Sequence, residues 1–229
     1  MNHLLALAAF TLALPGAALA ATRTYEVSAF EEISVAAGID ADISMGPSRS
    51  VVAETGVQGF DNLRISVEGN VLKISRLPSF WFFFGRADYK VHVVTPLLRS
   101  LAASSGADVD VTGPVVGDFS VRASSGSDVN VCGINSGNVK AHASSGSDID
   151  IAGSCVTFEV EASSGSALDA RNLKCETITV QTSSGSDVSV AASKSVRGKA
   201  SSGSEVRVSG APPDVQVDKS SGADVKVRD

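Results

Sequence analysis

The sequence predicts an all-β protein, a single-stranded parallel β-helix (β-solenoid) with coils of about 20 residues, and three observations predict it. Ser-Ser-Gly returns seven times, with glycines at Gly106, Gly126, Gly146, Gly165, Gly185, Gly203 and Gly222, spaced by 20, 20, 19, 20, 18 and 19 residues. Six of the seven are followed by Ser or Ala and then Asp or Glu. Apolar and polar residues alternate on both sides of each glycine, which is the period of a strand and not of a helix. A fixed period near twenty, built from strand formers and a Gly bend, marks a repeat in which each turn of chain buries its apolar edge against its neighbours.

Taken in order, residues 1–20 (MNHLLALAAFTLALPGAALA) form an apolar run that ends in Ala18-Leu19-Ala20. This small-x-small ending has the form of a signal peptide cleaved after Ala20. No later apolar run approaches the ~20 residues of a membrane helix. The expected product is therefore an exported chain, 21–229, without a transmembrane segment. Residues 21–97 carry short strand-like pieces bounded by Gly, Pro and Asn, with AAGIDADIS around Gly38 a worn copy of the later repeat. They read as irregular opening coils of one β-helix domain, and 98–229 as seven regular coils. The segment 78–86 (PSFWFFFGR) holds four of nine Phe residues and the single Trp. It reads either as a plug over the solenoid or as an apolar patch for a partner.

Counting each bend Gly as zero, the apolar residues fall at odd positions: Val109, Val129, Ile149, Leu168, Val188, Val206 and Val225 at +3, for example. Odd positions therefore face inward, and the small residues at −1 and +1 are expected inside a tight bend. Even positions become outer columns of near-identical side chains, stacked ~4.8 Å apart. The +2 column reads Asp108, Asp128, Asp148, Ala167, Asp187, Glu205, Asp224, and the +4 column Asp110, Asn130, Asp150, Asp169, Ser189, Arg207, Lys226. Stacked like charges repel. Two compensations stay open, local hydrogen bonds from Asp to backbone N–H groups and bound cations. Cys155 and Cys175 each lie ten residues before the next bend Gly, so they are expected side by side in adjacent coils, within disulfide reach.

The leading FEEISVAAGIDADIS, the junction VHVVTPLLRSLAASSGADVDV and the coils SSGSDVNV and SSGSDIDI together resemble the bacterial head GIN domain family, described as putative auto-transporter adhesins. The resemblance spans nearly all of 21–229. It implies a β-helix related in shape to pectin lyases without their catalytic residues, and a role in adhesion.

Composition excludes some functions. A formal charge of −6 with no basic stripe makes nucleic acid a poor partner. A ladder offers paired carboxylates at every coil, so spacing alone singles out no glycosidase pair, and there is no Gly-x-Ser-x-Gly elbow. No catalytic residue, metal ligand or cofactor is assigned. The candidate binding face is Asp108, Asp110, Asp128, Asn130, Asp148, Asp150, Asp169 and Asp187. Its expected ligand is an envelope or extracellular polysaccharide, or a surface protein. A polysaccharide lyase or hydrolase is the alternative, and it needs one coil that departs from the pattern by gathering basic and acidic groups.

Overall fold

The computed structural model describes residues 21–56, 59–77 and 88–228. Residues 1–20 and the aromatic segment 78–86 lie outside the described residues, so the leader and plug readings are not addressed by it. The chain is all-β, a solenoid of about six turns with parallel bridges about 20 residues apart.

The regular part begins with β8 (Ser100–Ser104), β9 (Asp108–Thr112), β10 (Val115–Val116) and β11 (Phe119–Ser124). Then come four long bent strands, β12 (Asp128–Ser144), β13 (Asp148–Ala162), β14 (Ala167–Thr182) and β15 (Asp187–Ala200). The array closes with β16 (Glu205–Ser209), β17 (Asp214–Lys219) and β18 (Asp224–Val227). All pair in parallel with the coils above and below, and like stacks on like: Val129 on Ile149, Ile149 on Leu168, Leu168 on Val188, Val188 on Val206. These side chains are at most 3% exposed. Each contributes ~1.5–3 kcal/mol by leaving water, so the alternation itself supplies the core.

The bend explains the repeated tripeptide. Ser145 (φ 56°) and Gly146 (φ 66°) are consecutive left-handed residues, and the same pair recurs at all seven bends. This conformation turns the chain while its N–H groups stay along the stacking axis. Gly146 N donates to Ser164 O of the next coil at 3.1 Å, and its equivalents do the same, so the ladder continues round the corner. The residue at +1 is buried, as expected. Ser147 Oγ accepts from Ser144 N at 3.1 Å and donates to Ala123 O one coil back at 2.9 Å. Ser127 and Ser166 repeat both bonds.

One expectation at the bend is corrected. The serine at −1 lies outside the bend and is exposed. Its left-handed φ turns its side chain away from the core. Nor is the bend glycine there for space, since a Cβ on Gly146 would meet nothing within 4 Å. The crowded glycines are elsewhere, as at Gly153, where a Cβ would sit 2.1 Å from Ile134 O.

The earlier strands are β1 (Ala21–Thr24), β2 (Glu32–Ala36), β3 (Asp40–Met45), β4 (Ser50–Thr55), β5 (Leu63–Glu68), β6 (Val71–Arg76) and β7 (Tyr89–Thr95). β2 and β3 stack in parallel on β8 and β9, bending at Ala37 and Gly38, so AAGIDADIS is a true repeat. β6 and β7 form the next layer out, parallel to β2 and β3. Spatial order therefore departs from chain order. β1, β4 and β5 are not parallel coils. β5 pairs antiparallel with β6, β4 with β7 and β1 with β4. Short reversals of this kind cover an edge that another parallel turn would only pass on.

Candidate functional site

The +2 and +4 columns share one outer face, and the register extends them beyond the sequence reading. Asp40 stacks on Asp108 and Asp42 on Asp110, with Lys90 and His92 beyond them. The candidates Asp108, Asp110, Asp128, Asn130, Asp148 and Asp150 line a shallow trough of about 390 Å³. Asp169 and Asp187 lie further along, in a second hollow with Arg171, Arg207 and Arg228.

Compensation along this face is uneven. Asp169 is the one candidate whose carboxylate takes a backbone N–H, from Arg171 at 3.1 Å, and the Arg171 guanidinium also grips it. Of the two compensations left open by the sequence, local backbone bonding is present at this one candidate. Arg171 holds the Asp169 carboxyl below its usual range, chiefly through that side-chain hydrogen bond. At one end Lys90 bonds Asp42 at 2.9 Å, and at the other Lys226 bonds Glu205 at 2.7 Å. In the middle only Asn130 Nδ2 bridges, to Asp110 at 3.2 Å. Burial, then Asp128, Asp40 and Asp110, push Asp108 above the ordinary carboxylate range. Burial, then Asp169 and Asp148, do the same to Asp150. Among the described residues no group of three or more His, Cys, Asp or Glu side chains is placed to hold a metal ion.

A second outer face lies on the other side of the bend, and its −4 column mixes residues of opposite charge, Arg122, His142, Glu161, Gln181, Lys199 and Asp218. One such pair is present, His142 Nδ1 to Glu161 at 3.1 Å. The adjoining −6 column, not considered from the sequence, adds Lys140 to Glu159 at 2.7 Å and holds Arg197, which reaches Asp214 of the −8 column at 2.7 Å. Among the described residues Arg122 and Lys199, in the −4 column, make no ion pair. Arg122 has only a 3.3 Å bond to Ser120 Oγ. Two adjoining hollows of about 350 and 400 Å³ run along this face and share His142 and Glu161. The signal that could have found it was the −6 column, read beside −4.

Cys155 and Cys175 are register partners, 4.5 Å apart at Cα and joined by a disulfide, while Cys132 is free and exposed. Among the described residues no helix is long and apolar enough to cross a membrane.

Stacked columns, a left-handed Ser-Gly corner and shallow polar faces define a parallel β-solenoid. The chain belongs to the family described as "Putative auto-transporter adhesin, head GIN domain", whose model matches residues 29–212. Among solved structures it is similar to a putative adhesin from Bacteroides fragilis, at 14% identity and TM-score 0.84 over 91% of this chain and 97% of that one. It is similar also to a putative adhesin from Parabacteroides merdae (14%, TM-score 0.70, 92% and 96%). A third is a putative lipid binding protein from Parabacteroides distasonis (16%, TM-score 0.69, 90% and 96%). At these identities the likeness is one of fold. No curated protein matched the sequence.

Proposed function

We propose that this protein is an exported, non-enzymatic β-solenoid that binds a polymer of the cell envelope or the extracellular surface, or a surface protein, through its repetitive outer faces. The observation that carries the reading is the register. Because each outer position stacks on its equivalent, a weak contact made by one coil is offered again ~4.8 Å further along, and repeated weak contacts add by multivalency. Membership of an adhesin family supports the same reading. Export is supported by residues 1–20, and cleavage after Ala20 leaves β1 whole and paired with β4.

The enzyme alternative asks for one coil that gathers acid and base in a pocket. Basic and acidic groups do meet around His142, but in a shallow, solvent-open hollow where His142 and Lys140 are engaged by Glu161 and Glu159. Incubation with envelope polysaccharides, followed for both retention and release of reducing or unsaturated ends, tests the proposal. Retention without release is expected, and release of ends would overturn it. Amino-terminal sequencing of the exported protein should begin at Ala21.

A further inference from the structure

The polymer reading leaves open which face binds and what chemistry it selects. On the Asp face, Asp108, Asp128 and Asp148 stack directly and lack ion-pair partners, so any anionic strand is repelled. The opposite side of the bend is different. Its −4 column runs Arg122, His142, Glu161, Gln181, Lys199 in unbroken register. The two carboxylates in this stretch, Glu159 and Glu161, are each contacted, by Lys140 at 2.7 Å and His142 at 3.1 Å. Arg122 at one end and Lys199 at the other are exposed and form no ion pair among the described residues. Asp218, the register neighbour of Lys199, forms none with it.

The two hollows share His142 and Glu161 and lie on either side of the −4 column, a shallow double groove along the stacking axis. The free cations stand four coils apart, about 19 Å at the ~4.8 Å spacing of stacked strands. The stretch between them is rich in hydroxyl and amide groups, such as Gln181, Ser163 and Ser183, suited to sugar hydroxyls. A guanidinium presents a planar fork that matches a carboxylate, and an ammonium at the far end takes a second one.

We propose that this groove is the polymer site, and that its ligand is a carboxylated glycan lying along the solenoid axis, with one carboxylate at Arg122 and another at Lys199. The inference rests on the polymer-binding reading above. It excludes the Asp face as the site for such a ligand.

The probe is an alginate octasaccharide, with its carboxyl-reduced counterpart as the uncharged arm, titrated calorimetrically into the full exported chain at low salt. The alginate arm should bind and weaken with added salt, and the reduced arm should not bind measurably. Arg122→Gln and Lys199→Gln should each weaken binding about threefold and together about tenfold, as expected for solvated ion pairs. Lys199→Arg should restore it, and Lys174→Gln, an exposed cation of β14 outside the groove, should not weaken it. All three positions are exposed on strands, so unchanged circular dichroism is expected. Equal binding of the reduced oligomer, or alginate binding that the double variant leaves unchanged, would overturn the groove assignment while the polymer reading stands. If no envelope or extracellular polysaccharide of any charge is retained, both readings fall together.

Discussion

The hydroxyl of Ser147 donates to the carbonyl of Ala123 one coil back while accepting the amide of Ser144 in its own coil. One buried side chain thus ties the bend to itself and to its neighbour. Ala107 occupies the same position at the first regular bend and is fully buried, so the site accepts alanine in shape. Ser147→Ala should therefore lose its hydrogen bonds and little else, at ~1–3 kcal/mol. The exposed Ser145→Ala should stay within about 0.5 kcal/mol. Denaturant midpoints of the two variants check this, and equal midpoints would contradict it.

The glycines separate in the same way. Gly146→Ala places a Cβ in open space and costs only the left-handed backbone, about 1 kcal/mol. Gly153→Ala drives a Cβ against the backbone of Ile134 at φ 141°, and should cost ~3 kcal/mol or more, since strain and overpacking add. Thermal melts of the pair should rank Gly153→Ala well below Gly146→Ala.

Cys155 and Cys175 close a loop at a separation of 20 residues. In the chain-entropy account, a bridge of this size stabilises by ~3 kcal/mol. Cys155→Ala with Cys175→Ala should lower the denaturant midpoint accordingly, and reductant should shift the parent but not the double variant.

Acid pH should act in opposite directions on two stacked carboxylates. Asp108 titrates above its unfolded value, so between the two values the native state holds more protons than the unfolded one. Its contribution therefore improves as pH falls through that window and is unfavourable at pH 7. Asp108→Asn should be more stable than the parent at pH 7, by a few tenths of a kcal/mol for a solvated like-charge pair, and should match it at acid pH. Asp169 titrates below its unfolded value because of Arg171. Its contribution is present above the unfolded value and is lost as pH falls through the depressed one. Asp169→Asn should be the less stable at pH 7, and melts across pH 3–7 check both signs.

Much of the fold was legible because a solenoid writes its register into its sequence. The +3 and +5 residues, the buried +1 position, the worn repeat at Gly38 and the Cys155–Cys175 pairing all follow from counting from one glycine. The antiparallel β1, β4 and β5 were not legible, because an end cap occurs once and has no period. The serine at −1 was misplaced because alternation was carried through the bend, where two left-handed residues in succession break it. The groove between Arg122 and Lys199 was missed for a related reason. A column that changes chemistry from coil to coil looks like noise beside a column of aspartates, although the changing one is where a specific strand can be read.

The central claim is that the outer faces hold a polymer and do not cut it. The most direct measurement is retention of the full exported chain on immobilised envelope and extracellular polysaccharides, with the supernatant assayed for released ends. The account predicts salt-sensitive retention that strengthens with polymer length, as multivalent contact requires, and no released ends. Failure of every polymer to retain the protein, or the release of ends from any of them, would contradict it.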